Sequence, residues 1–167
     1  MIKEYSTDHI RNITVIGHGG TGKTTIVENL LHFSGAIDKA GSVENGSTVS
    51  DFEEEEIKHK MSIHNSLTFT EFENTKINII DTPGVPDFVG EVRPSLRVSE
   101  GALVVVDSVD GIQMGTRKIW EYADEYKVPR IVFVNKMDKE QAKFETVVES
   151  IQQNFETPIV PIELPIG

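Results

Sequence analysis

The sequence predicts an α/β domain: a mostly parallel central sheet, one antiparallel edge strand, and helices on both faces. Two observations predict it. Four short β-branched runs stand out: Ile13-Thr14-Val15-Ile16, Ile77-Asn78-Ile79-Ile80, Leu103-Val104-Val105-Val106 and Ile131-Val132-Phe133-Val134. They lack the alternation of half-exposed strands and read as strands covered on both faces. Helical stripes separate them, and strand-helix-strand alternation implies parallel pairing.

Composition supports one such domain. The chain has 167 residues, enough for one real core, and carries a net charge of −11. That acidity argues against gripping nucleic acid through charge alone, sequence-specific DNA included. With 38% hydrophobic and 26% charged residues, the chain is neither disordered nor membrane-spanning. Cysteine is absent, which excludes disulfides, thiol nucleophiles and zinc-thiolate sites. The amino terminus has no apolar run of the secretory kind, so a cytoplasmic protein is expected.

Each element has its own signal. Ile26, Val27, Leu30 and Leu31 form a helical stripe after Gly22. Ile119, Trp120, Ala123 and Tyr126 form a second, and Phe144, Val147, Val148, Ile151 and Phe155 a third. Leu67 to Phe72 is a further strand, and an Asn74-Thr75 turn folds it back onto the run at Ile77 as the antiparallel edge. The stretch from Ser34 to Ser66 is too long for an idle connection. Its acidic run, Asp51 to Glu56, reads as a solvated, mobile loop rather than a metal site.

Three motifs carry chemistry. Gly17-His18-Gly19-Gly20-Thr21-Gly22-Lys23-Thr24 has the G-x-x-x-x-G-K-[ST] spacing, after a strand and before a helix. Such a loop wraps a phosphate chain with inward N–H groups, aided by the helix amino terminus. Lys23 is placed to neutralise the β- and γ-phosphates and the Thr24 hydroxyl to ligate Mg²⁺. Asp81-Thr82-Pro83-Gly84 ends the second run, where ligands meet open α/β sheets. Asp81 would hold Mg²⁺ through a water, and the Gly84 N–H would bond a γ-phosphate oxygen, with no Cβ in the way. Asn135-Lys136-Met137-Asp138 ends the fourth run. A carboxylate at Asp138 would accept guanine N1–H and N2–H, donors that adenine lacks. Asn135 would tie this turn to the phosphate loop, and the Lys136 stem would lie against the base. Taken alone, each motif is also compatible with an ordinary polar turn. Their order, phosphate then magnesium then base, points to GTP or GDP. A P-loop ATPase or small-molecule kinase shares only the first motif.

With these motifs in place, the chain resembles the GTP-binding domain of bacterial elongation factor G. The matching words are Arg11-Asn12-Ile13, the phosphate loop with Thr24-Thr25, Ile77 to Gly84, Asp87-Phe88, Glu91-Val92, Ser95 to Val98, and Tyr126 to Asp138. The resemblance implies a Ras-like P-loop GTPase fold and ribosome-stimulated GTP hydrolysis by a mainly monomeric factor. Residues 1–158 would form the GTP-binding domain. Residues 159–167, ending Pro161 to Gly167, would open an insertion within it. The last core strand, the last helix and a further base-binding turn would lie beyond the insertion. Their loss would leave apolar surface exposed.

Departures from the family pattern refine this. The family histidine after D-T-P-G, which positions the attacking water, is here Val85. These departures resemble the elongation-factor-G-like paralogues, which lack this histidine, and low intrinsic hydrolysis is expected because a valine cannot position a water. His18 matches a family histidine and so is no replacement catalyst. Ser62 stands at the family's magnesium-binding threonine and retains a hydroxyl, whereas Lys60 replaces a glycine. Pro94 should kink or restart the helix in which it falls. A second reading of the same residues is a GTP-held switch with little or no hydrolysis.

Overall fold

The computed structural model describes residues 3–166. Five strands form one sheet in the order β2-β3-β1-β4-β5. They are β1 (Ile10–Gly17), β2 (Ser66–Phe72), β3 (Thr75–Asp81), β4 (Gly101–Asp107) and β5 (Arg130–Asn135). The pairs β1·β3, β1·β4 and β4·β5 are parallel, and β2·β3 is antiparallel. The hairpin turn lies one residue earlier than predicted, at Glu73-Asn74, and Thr75 already pairs with Phe72. Both turn residues have positive φ, 45° and 65°, which matches the twist of a two-residue hairpin.

The helices are α1 (Lys23–Phe33), α2 (Glu54–His59), α3 (Val92–Val98), α4 (Met114–Glu125) and α5 (Phe144–Phe155). Helices do cover both faces, unequally. On one face Ile16, Val104 and Val106 pack against Val92 and Leu96 of α3, Ile119, Trp120 and Ala123 of α4, and Val147 and Ile151 of α5. On the other, Val15, Ile79 and Val105 meet Val27 and Leu31 of α1. Each such buried aliphatic contributes roughly 1.5–3 kcal/mol. Pro94 restarts the chain as predicted: a 3-10 turn spans Pro86–Glu91, and α3 begins at Val92. Pro94 thus sits in a first turn, where no N–H is required.

One expectation fails at β5. Ile131 and Phe133 pair with Leu103 and Val105, so they share the α1 face, yet they are 60% and 45% exposed. Helix α1 stops short of this edge, so β5 is covered on one face only. Residues 157–166 run without helix or strand, and Val160, Ile162 and Leu164 are exposed. No helix of the described residues is long and apolar enough to cross a membrane.

Candidate functional site

Strand register brings the motifs together. Asp81, Asp107 and Asn135 end β3, β4 and β5, each at an odd position that alternation places on the α1 face. The loop Gly17 to Gly22 leads from β1 into α1 at the same end of the sheet. Gly22 opens the helix at φ 94°, and a side chain there would strike the Asn135 amide. The first helical bond is Ile26 N–H to the Gly22 carbonyl, 3.0 Å. The N–H groups of Lys23, Thr24 and Thr25 therefore precede the ladder and are free to meet an anion. The Thr25 side chain itself is exposed.

Within the loop, the His18 carbonyl accepts from Thr21 Oγ1 and Lys23 Nζ, each at 3.0 Å. The His18 ring lies against Gly115 of α4, with Nδ1 buried and unpartnered. Gly19 and Gly20 complete the loop, Gly20 at φ 76°. Gly84 is pressed onto this loop: a Cβ there would collide with the Lys23 ammonium and fall 2.7 Å from the Gly19 nitrogen. The buried Thr82 hydroxyl anchors the Asp81 to Gly84 turn by donating to the Val15 carbonyl, 2.8 Å.

Charge dominates this half of the site. Lys23 is 6% exposed, and burial pushes its ammonium down to about 8, against the pull of Asp81 and Asp51. Asp81 is 1% exposed, and both carboxylate oxygens lack a hydrogen-bond partner. Burial pushes it up to about 6. Thr24 Oγ1 lies 3.2 Å from Ser62 Oγ, so the two predicted hydroxyls meet across the chain. Ser62 donates on to Asp51 Oδ1 at 2.7 Å.

Asp51 corrects the reading of the acidic run as a solvated loop. Asp51 and Glu56 are 4% and 2% exposed, while Phe52 to Glu55 face solvent. Burial raises the Asp51 carboxyl, and the Ser62 bond only partly opposes this. Glu56 accepts N–H bonds from Ile63 (2.9 Å), His64 (3.1 Å) and Glu53 (3.3 Å). Buried Glu28 of α1 accepts from Gly41 (2.8 Å) and Val49, which ties the long loop to the phosphate-loop helix. Sequence reading missed Asp51 because its burial is set by Glu28 and Ser62, both distant in the chain. Lys60 closes α2 in the left-handed conformation, φ 53°, and its ammonium pairs with Glu44 at 2.5 Å. A glycine would adopt that conformation freely.

The other half is built from satisfied bonds. Asn135 Nδ2 donates to the Thr21 carbonyl at 2.8 Å, the predicted tie between turn and phosphate loop. Lys136 is left-handed, φ 62°, and its ammonium meets Asp107 Oδ2 at 2.6 Å. Asp138 is exposed beside them.

Hydroxyl and carboxylate oxygens are the donors a hard divalent cation takes, and the two buried, unpartnered oxygens of Asp81 fit such a group. The N–H groups that precede the helical ladder, with Lys23, fit a polyphosphate. Residues 8–163 match the family described as the elongation factor Tu GTP binding domain.

The chain belongs to that family of GTP-binding domains. Its relatives include elongation factor G 1 of Treponema denticola, 42% identical over 96% of this chain. Elongation factor G of Mycoplasma pneumoniae is 45% identical over 95% of it. The chain spans 23% of the length of each. A crystal structure of a protein from Thermus thermophilus superposes with a TM-score of 0.91 at 36% identity, covering 95% of this chain and 24% of that one. This GTP-binding domain is thus of the elongation-factor type, similar to that of elongation factor G, on a P-loop α/β fold.

Proposed function

We propose that the chain is the GTP-binding and GTP-hydrolysing domain of an elongation factor G-like translation factor, cytoplasmic and monomeric, that acts on the ribosome. In this reading residues 1–158 are the GTP-binding domain and 159–167 open an insertion; Met1, Ile2 and Gly167 lie outside the described residues. The observation that carries the proposal is the meeting of Lys23, Asp81 and the Thr24–Ser62 hydroxyl pair at the mouth of the phosphate loop.

The reaction is attack of water on the γ-phosphorus of GTP. An oxygen–phosphorus bond forms, the bond from the γ-phosphorus to the β-γ bridging oxygen breaks, GDP leaves with the bond pair, and the water's proton passes to the phosphate oxygens. Gly17 to Thr25 cradle the phosphates through backbone N–H groups, His18 contributing its place in the loop. Lys23 and the Gly84 N–H stabilise charge on the transferred group. Thr24, Ser62 and Asp81 would hold Mg²⁺, which would neutralise phosphate charge, with Asp51 orienting the Ser62 hydroxyl that donates to it. Asn135, Lys136 and Asp138 read guanine.

Val85 follows Gly84 at the start of the 3-10 turn. Its aliphatic side chain neither orients nor deprotonates a water, so intrinsic hydrolysis is slow. Single-turnover cleavage of γ-labelled GTP by the protein carrying this chain, with and without ribosomes, tests the proposal. Strong ribosomal stimulation is expected, and Val85→His should raise the intrinsic rate roughly tenfold or more. Tight GTP binding without stimulation would overturn hydrolysis and leave a nucleotide-held switch.

A further inference from the structure

Lys136 is gripped at both ends. Its carbonyl accepts the Ser108 hydroxyl at 2.8 Å, and Ser108 is 1% exposed. The Ser108 N–H donates to the Asn135 carbonyl at 2.9 Å, so the turn is stitched to the end of β4. The Lys136 ammonium meets Asp107 Oδ2, while Asp107 Oδ1 accepts the N–H groups of Val109 (2.8 Å) and Asp110 (3.2 Å). The backbone thus holds the Asp107 carboxylate by the oxygen that the lysine does not use. The pair is partly shielded, with side chains 34% and 5% exposed. Burial pushes Asp107 up, but Lys136 and the two backbone bonds outweigh it and hold the carboxyl below its ordinary range.

A free lysine stem is among the most mobile of side chains, and ordering it on binding a ligand costs up to roughly 2 kcal/mol. Here both ends are fixed beside Asn135, which itself bonds the phosphate loop. The four methylenes therefore form a preset apolar surface.

We propose that Asp107 is a positioning residue for the nucleotide: by anchoring the Lys136 ammonium it fixes the lysine stem as the shelf on which the guanine base rests, and so sets how long the nucleotide stays bound. This rests on the reading of Asn135 to Asp138 as the base-binding turn. Ser108 cooperates by holding the left-handed Lys136 backbone. Asp107 touches no reacting atom, so it governs residence time and not the chemical step.

Release of a fluorescent GDP analogue from this chain, followed by stopped flow, tests it. The variants are Asp107→Asn, Lys136→Met and the double substitution. Asparagine keeps an oxygen for Val109 and Asp110 but loses the charge. Each single change should speed release about tenfold, the worth of a charge-assisted bond. The double variant should release no faster than the faster single one, because both remove the same contact. A purely structural Asp107 would lower thermal stability without that non-additivity. Unchanged release from Asp107→Asn, or effects that multiply, would overturn the proposal. If Asp107→Asn does not fold, Lys136→Met carries the test, since Asp107 then keeps both backbone bonds; unchanged release there overturns it equally. Asp138→Asn separates the two levels. If it leaves guanine preference intact, the base-turn reading falls and this inference with it. If preference is lost while Asp107→Asn releases normally, only the role of Asp107 falls.

Discussion

The phosphate half and the base half of the site are built on opposite principles. Around the phosphate loop, Lys23, Asp81 and Asp51 are buried with their charges incompletely matched. Around the base turn, Asn135, Ser108 and Asp107 have their partners in place, and the Asp138 carboxylate is exposed. One half is left incomplete for a ligand of opposite charge to finish. The other is preformed. Substitutions in the two halves should therefore separate binding from stability.

The largest separation is expected at Lys23. Lys23→Met should weaken GDP binding by about 100-fold, through loss of charge-assisted phosphate contacts. It should not lower the melting temperature of the ligand-free protein, because burial costs the Lys23 ammonium more than Asp81 and Asp51 return, as its lowered value of about 8 records. Calorimetric titration and thermal melting measure the two quantities. A melting temperature that fell with affinity would erase the contrast.

Asp81 gives the contrast a pH dependence. Its folded value is raised from 3.8 to about 6, so its stabilising protonation is fully present below pH 4 and lost as pH rises through about 6. Metal-free protein should lose on the order of 3 kcal/mol from this source across that window. Asp81→Asn should flatten the slope in chelator, measured by urea unfolding between pH 4 and 7. An unchanged slope would assign the loss elsewhere.

In the base half, stability and binding should move together. Asn135→Ala removes the bond to the Thr21 carbonyl and should cost about 1–2 kcal/mol of ligand-free stability besides weakening nucleotide binding. The smallest effect is expected away from the site. Ile131→Thr, on the exposed face of β5, should change stability by less than about 0.5 kcal/mol, against about 2–5 kcal/mol for Leu31→Ala under α1.

Much of this was legible in the sequence because it is local. Buried strands announce themselves as β-branched runs, and the phosphate loop as glycines at fixed spacing. Pro94 restarted its helix for reasons contained in the residue itself. What sequence reading missed depends on distant partners. Nothing near Asp51 reveals that Ser62 and the Glu28-anchored loop will bury it, while Glu53 to Glu55 beside it stay in water. Ile131 and Phe133 read as buried because the run looks like its neighbours, yet α1 does not reach them. Asp107 carried no signal of its own, since its meaning comes from pairing with Lys136 in the next strand's turn.

The most direct measurement is displacement of a fluorescent GDP analogue from this chain by GDP, ADP and xanthosine diphosphate, in the native sequence and in Asp138→Asn. GDP alone should compete with the native chain, and Asp138→Asn should shift the preference toward xanthosine diphosphate, whose added carbonyl accepts the amide N–H. Equal competition by ADP and GDP, with no response to Asp138→Asn, would contradict a preformed guanine half.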